Sequence, residues 1–310
     1  MSKRRYETTT ITPNFYQLGT DNYPAYLSLG DDCMIVEGGV GSTFPIIVAQ
    51  IEELGIDPAR IKYLALTHTH ADHIGAVPRL KELWPHLQVI GSSAADKMLK
   101  RDGMVEDFLQ MEKTIAENLL VKGEIDEWPV EIEDPAFNVD MIVKEGDKID
   151  LGAGVVWTVY ETPGHSPCHL SFHNEAEEIL IIGDATGIYI PGSELYWPNY
   201  FQSLENYCRS IQKMAALPAK IAALSHGGVV ERENVRNYLY NVLKATEAYH
   251  SGLLERLNNG EDYGQIAMET AKWVYTFTNL QPFALIHTMT KVTIKRSQTD
   301  ADKEGLFSIP

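Results

Sequence analysis

Cysteine is scarce in this chain. Cys33, Cys168 and Cys208 are the three in 310 residues, an odd number at wide spacing that builds no disulfide framework and points to a reducing cytoplasm. Long apolar runs are missing too. No stretch reaches the roughly 18 apolar residues that a membrane-crossing helix requires. Met1–Thr10 is basic and then polar, without the apolar centre of a secretory signal, so neither export nor anchoring is expected. Positive charge is in deficit: 26 Lys and Arg stand against 43 Asp and Glu, a formal net charge of −17. Phosphate backbones and anionic membranes are held by cationic side chains, so nucleic acid and membrane are excluded as main partners. The acidic balance serves solubility, and a small-molecule substrate remains open, even an anionic one if a buried cation supplies local positive charge. There is no internal repeat at solenoid spacing. There is no G-x-S-x-G elbow to present a serine nucleophile.

What is present alternates strands and helices over the first 230 residues, which predicts a layered α/β architecture. Phe15–Leu18, Tyr26–Leu29 and Cys33–Glu37 read as short strands separated by turns such as Gly30-Asp31-Asp32 and Gly38-Gly39. A helix is expected over 44–54, with Ile47, Ile51 and Leu54 on one face. Ile61–Leu66 reads as a buried strand, followed by a helix from about Ala71 toward Leu83 and another over Ala94–Asn118. The segment from Met104 to Pro135 is longer than a bare connection and is long enough to cover one edge of a site. Strand-like runs continue to Ile221–Leu224, with a helix over Leu204–Leu217. Beyond residue 230 the pattern is helical only, over Glu231–Leu257 and Gln265–Thr276. The expected organisation is a domain of residues 1–230 and a helical C-terminal segment of residues 231–310.

Strand Ile61–Leu66 runs straight into Thr67-His68-Thr69-His70-Ala71-Asp72-His73. Neither a strand nor a helix puts His68, His70, Asp72 and His73 on one face, because a strand turns His73 away and a helix separates residues two apart. A loop entering a helix lets all four converge. A single such histidine would be a solvent-facing turn residue. Three histidines and an aspartate between apolar segments form a set of neutral imidazole and carboxylate donors suited to zinc and other borderline metals. Three more candidates end strands further along: His165 after Glu161-Thr162-Pro163-Gly164, Asp184 after Ile179–Gly183, and His226 after Ile221–Ser225. Each alone reads as a cap, turn or core residue.

Together these residues resemble the metallo-β-lactamase superfamily, whose signature is H-x-H-x-D-H followed by a His, an Asp and a His at strand ends. The likeness covers roughly residues 12 to 230. It implies an αββα sandwich, here with the helical C-terminal segment added. It also implies two divalent metal ions, zinc being the commonest and iron or manganese also suited. His68, His70 and His165 would hold one ion, Asp72, His73 and His226 the other, and Asp184 would bridge them. The implied mechanism is attack by a metal-bridging hydroxide, with Asp72 as the catalytic residue that orients it and accepts its proton. Where many relatives read G-H-T-P-G-H, this chain reads Gly164-His165-Ser166-Pro167-Cys168-His169. Cys168 reads as a small apolar residue.

Within the superfamily the helical tail resembles glyoxalase II, the acyl-homoserine lactonases and the quinolone-signal response thioesterase, which implies cleavage of a thioester, ester or lactone. Lys291, Lys295 and Arg296 are the tail's basic candidates for a glutathione carrier. Fold does not settle function, and a small-molecule phosphodiesterase, a mononuclear iron persulfide dioxygenase and a non-catalytic metabolite sensor stay open. Flavodiiron proteins have Glu where this chain has His70. Tyr189, Tyr196, Trp197 and His287 are the candidates for substrate binding, with ordinary packing as the competing role for the aromatics. His86, His169, His173 and His250 read as structural or surface residues, His169 being the one of these placed to reach substrate or a ligand. The tail is expected to help form the substrate pocket or a homodimer interface.

Overall fold

The structure, a computed structural model, describes residues 6–190, 193, 195–231, 234–300 and 305–309, with only the backbone of Tyr189 and Asn234. The chain divides into two compact units, residues 1–160 and 161–310.

The first unit is built on a seven-stranded sheet in sequence order: β1 (Thr9–Thr12), β2 (Phe15–Gly19), β3 (Pro24–Leu29), β4 (Cys33–Val36), β5 (Ile61–Ala65), β6 (Gln88–Ser92) and β7 (Met141–Val143). The first three pairings are antiparallel and the last three parallel. Helix α1 (Phe44–Glu53) connects β4 to β5, the short helices α2 (Ala71–Ile74) and α3 (Val77–Leu83) connect β5 to β6, and α4 (Ser93–Leu99) and α5 (Met104–Lys122) precede β7. Period-two alternation sorts the side chains. Leu18, Leu27 and Ile35 share a buried cluster with Ile47 and Ile51 of α1 and Val77 and Leu80 of α3. Each such aliphatic side chain contributes about 1.5–3 kcal/mol by leaving water. The opposite face carries Phe15 and Tyr26, stacked at 5.5 Å. It meets the antiparallel hairpin of β8 (Lys148–Asp150) and β9 (Val156–Glu161). There Trp157 lies 5.6 Å from Phe15 and donates from Nε1 to Ser28 Oγ at 2.9 Å. With both faces covered, β4 is buried along its whole length.

Two expected helices are each broken in two. The run from Ala71 toward Leu83 stops after Ile74, where the Gly75 and Ala76 amides donate to the Gly39 and Gly38 carbonyls and the Gly38 amide donates to His73. Backbone approaches this close need glycine: a Cβ on Gly75 would stand 2.4 Å from the Gly41 nitrogen. The Ala94–Asn118 run is divided between α4 and α5 by residues 100–103, which end at Gly103 with φ +76°.

In the second unit β10 (Leu170–Asn174), β11 (Ile179–Gly183), β14 (Ile221–Leu224) and β15 (Val229–Glu231) lie in the order β15-β14-β11-β10, with β11 and β14 parallel and the other pairs antiparallel. β12 (Ile188–Ile190) and β13 (Leu195–Trp197) form a separate hairpin. Helix α6 (Leu204–Ala215) precedes β14, and α7 (Asn234–Asn258), α8 (Tyr263–Phe277) and α9 (Phe283–Thr299) follow β15. Leu180 and Ile182 of β11, Tyr207 and Ile211 of α6, and Leu239 and Leu243 of α7 share one core, so the first tail helix is continuous with the strands before it. No helix among the described residues is long and apolar enough to cross a membrane.

Candidate metal centre

In each unit candidate ligands stand at the carboxyl ends of neighbouring parallel strands, the usual location of sites in α/β sheets, His165 after β9 being the exception. In the first unit Glu37 follows β4 and Thr67–His73 follows β5, the two strands being parallel neighbours. In the second, Asp184 follows β11 and His226 follows β14.

The quartet of the first unit converges as a loop-to-helix cluster should. His68 is fully buried, His73 is buried, and His70 and Asp72 keep partial exposure. His68 Nε2 lies 3.0 Å from His70 Nδ1, and His73 Nε2 lies 3.6 Å from Asp72 Oδ2. Ligand atoms of His68 and His73 also come within 4.8 Å of each other. The rings are oriented from behind by Glu37. Its Oε2 accepts from His73 Nδ1 at 2.8 Å and its Oε1 accepts from Thr67 Oγ1 at 2.6 Å. With its one proton so committed, Thr67 accepts from His68 Nδ1 at 3.0 Å. The network therefore assigns the ring proton of both histidines to Nδ1 and the lone pair to Nε2. Glu37 is 1% exposed and adopts φ +74°, a left-handed conformation costing a non-glycine residue about 1–2 kcal/mol. Strain of that kind persists where the surroundings fix it.

In the second unit His165 stands after Gly164, whose φ is +129° and whose Cβ would lie 2.2 Å from the Tyr207 nitrogen. The Gly164 carbonyl accepts from the Gln202 and Ser203 amides, which fixes this turn against the start of α6. His165 Nδ1 donates to the Asn199 carbonyl at 3.0 Å, leaving the lone pair on Nε2. That Nε2 lies 3.4 Å from Asp184 Oδ2, while His226 Nε2 lies 3.6 Å from Asp184 Oδ1. Asn199 Nδ2 also donates to Asp184 Oδ2 at 3.4 Å.

These spacings test whether the residues suit metals. Two donors about 2.1 Å from one ion at a tetrahedral angle stand about 3.4 Å apart. The carboxylate–imidazole separations of 3.4–3.6 Å match that spacing and are long for hydrogen bonds. The donors are carboxylate oxygens and imidazole nitrogens, and His68, His73 and His165 are each held from behind at Nδ1, by Thr67, Glu37 and the Asn199 carbonyl. The residues fit divalent cations.

A family model described as the metallo-beta-lactamase superfamily matches residues 21–226, more than half of the chain and all seven ligand candidates. The chain belongs to that superfamily. The α/β class and C-terminal helices expected from the sequence are those of the superfamily's fold. A metallo-beta-lactamase fold-containing protein from Sulfurisphaera tokodaii is 25% identical over 190 residues, spanning 61% of this chain and 69% of its own length. An N-acyl homoserine lactonase from Azorhizobium caulinodans is 27% identical, spanning 57% of this chain and 60% of its own. Among solved structures, a HARLDQ-motif mutant of a metallo-beta-lactamase from Cronobacter sakazakii shares the fold at TM-score 0.54, with 22% identity over 94% of this chain and 97% of that one.

The other candidates lie as follows. Trp197 is buried and packs 6.0 Å from Phe201, and Tyr196 is half-buried 5.9 Å from Tyr238. The Tyr189 side chain lies outside the described residues; its backbone pairs with Tyr196. His287 stacks on Phe283 within α9 at 6.2 Å. Among the tail's basic candidates, Arg296 donates to the Phe201 carbonyl. Sequence reasoning missed Glu37, Thr67 and Asn199. A carboxylate closing the apolar run Cys33-Met34-Ile35-Val36 was the available signal for Glu37; nothing in the sequence singled out Asn199.

Two outcomes follow for the first unit. Glu37→Gln keeps the shape but cannot accept from both Thr67 and His73, so zinc affinity in a chelator competition is expected to fall about 10–100-fold with the fold retained. Unchanged affinity would remove Glu37 from this role. For His70, loss of hydration lowers the imidazole from 6.5 to about 4, with Asp72 pulling upward and His73 pushing further down. The folded chain thus holds fewer protons than the unfolded one between those values. His70 stability is complete above about 6.5 and is lost as the pH falls toward about 4. Denaturant titrations of the chelator-stripped protein should show this loss, and His70→Gln should show less of it. Equal acid sensitivity in the two proteins would contradict the assignment.

Proposed function

We propose that His68, His70 and His165 hold one divalent cation, Asp72, His73 and His226 a second, with Asp184 shared between them, and that this centre hydrolyses a thioester, ester or lactone. The observation that carries the reading is the Asp184 carboxylate, each of whose oxygens faces a different imidazole at a co-ligand spacing. The family match running through both units supports treating their residues as one centre. When bound, such cations act as Lewis acids that polarise a carbonyl and lower the pKa of water from about 16 to about 7.

This chain's own residues then orient and move protons. Glu37 and the Asn199 carbonyl keep the Nδ1 protons of His73 and His165 in place, so that each ring carries its lone pair on Nε2. Asp72, partly exposed beside His73, orients the attacking water and takes its proton on the carboxylate. No serine or cysteine nucleophile is called for, and Cys168 is buried with its sulfur 3.1 Å from Ser166 Oγ. Zinc is the first cation to test, with iron and manganese suited to the same donors. The lactonase relative favours an acyl bond. The net charge of −17 favours a small-molecule substrate over nucleic acid, and three free, buried cysteines accord with a reducing cytoplasm.

The test is a hydrolysis panel on the zinc-loaded protein: an aryl ester, an acyl thioester, an acyl lactone and a diaryl phosphodiester. One acyl class turning over at least tenfold faster than the phosphodiester is the expected result. The opposite ranking would make the protein a phosphodiesterase, and full metal occupancy without any turnover would make it a metabolite sensor.

A further inference from the structure

The residues that hold metal ligands from behind include one set that the function above does not use. The antiparallel ladder of β10 and β11 pairs Asn174 with Ile179 and Phe172 with Ile181, and beyond its end the Asp184 amide reaches the His169 ring. On the other side of β11 the register with β14 slips between Ile181 and Gly183. That irregularity takes Ile182 out of step with the β14 ladder, just before Gly183 turns the chain at φ +68° into Asp184. Buried backbone groups on both sides of Gly183 then need partners from elsewhere.

Three buried side chains supply them in a closed sequence. The Asp184 amide donates to His169 Nε2 at 3.0 Å. His169 Nδ1 lies 2.8 Å from Thr162 Oγ1, Thr162 Oγ1 lies 2.8 Å from Ser171 Oγ, and Ser171 Oγ donates to the Ile182 carbonyl at 2.9 Å, with the Met214 sulfur a weaker neighbour at 3.5 Å. The two ends admit one direction only. An amide can only donate, so Nε2 accepts and the neutral ring carries its proton on Nδ1. A carbonyl can only accept, so Ser171 donates to it and must itself accept from Thr162. Thr162 is left to accept from His169. No group in the circuit has a choice of role, and Thr162, His169 and Ser171 are each at most 1% exposed.

We propose that His169, Thr162 and Ser171 form a one-way hydrogen-bond circuit that starts and ends on the backbone around Gly183, and that this circuit sets the aim of the Asp184 carboxylate. His169 is thus a positioning residue, held in a single tautomer by a threonine seven residues before it. The inference rests on the site reading above for its consequence, since the carboxylate it aims is the one proposed to be shared by two cations. The circuit itself lies wholly within the second unit.

The test uses the full-length chain with 15N-labelled histidine, together with Thr162→Val, which keeps the shape of threonine without its hydroxyl, and Thr162→Ser, which restores the hydroxyl. In the wild-type protein the His169 ring is expected to show a protonated Nδ1 and an unprotonated Nε2. Thr162→Val should speed hydrogen exchange at the Asp184 amide at least tenfold. It should weaken zinc binding in a chelator competition about 10–100-fold, as loss of a residue behind a ligand does, and lower kcat with KM little changed. Thr162→Ser should return all three toward wild type. A ring protonated on Nε2, or wild-type exchange and zinc affinity in Thr162→Val, would overturn the proposal. If Thr162→Val does not fold, the wild-type tautomer and Ser171→Ala decide the matter by the same measurements. A wild-type chain that bound no metal would refute the site reading, while the tautomer and the exchange rates would still judge the circuit.

Discussion

Asp184→Ala is expected to lose metal and turnover together. Two divalent cations bring four positive charges, and the proposed ligand set answers them with two carboxylates, Asp72 and Asp184. Removing Asp184 halves that compensation and deletes the group whose oxygens face both His165 and His226. The loss of zinc affinity should therefore exceed the about 10–100-fold typical of residues that merely support a ligand, and hydrolysis should fall to background. The fold should survive. Alanine keeps the amide that donates to His169, and the side chain removed is a buried carboxylate rather than part of the apolar core. Circular dichroism with elemental analysis checks both halves of the expectation. A folded Asp184→Ala protein with wild-type metal content would remove the shared carboxylate from the account.

Asp72→Asn should separate binding from chemistry. The amide keeps the size and one oxygen of the carboxylate, and neither the Glu37–His73 bond nor the contact between His68 and His70 depends on Asp72. At least one cation should stay bound. Proton acceptance is lost, because an amide does not take a proton near neutral pH, and general-base catalysis is worth about 10²–10⁴-fold. Turnover is expected to drop by that factor while one metal per chain persists. A variant with near-normal turnover would show that another group accepts the proton.

Much of this site was legible in the sequence because its residues sit where local signals are strong. His68, His70, Asp72 and His73 crowd into six positions after a buried strand, and Asp184 and His226 each close an apolar run. The supporting residues were harder to read because their roles depend on pairings distant in sequence. Glu37 acts on His73 across 36 residues and Asn199 on His165 across 34. His169 reads in the sequence as a structural or surface histidine able to reach a ligand, but its bond to the Asp184 amide joins residues 15 apart and shows only in the fold. The broken helices were hidden for the opposite reason. Apolar spacing continues through Gly75 and Gly103, but close backbone approach at one and a left-handed φ at the other stop the helix. Helix α9 carries four threonines between Thr288 and Thr299, poor helix formers whose hydroxyls here donate back to carbonyls in the preceding turn, as Thr290 does to Ile286.

Elemental analysis of the purified full-length chain, reloaded with zinc and freed of loose metal by gel filtration, tests the central claim most directly. Two zinc ions per chain are expected, falling to fewer than one in Asp184→Ala. A single ion per chain that survives the loss of Asp184 would contradict a binuclear centre built on that carboxylate.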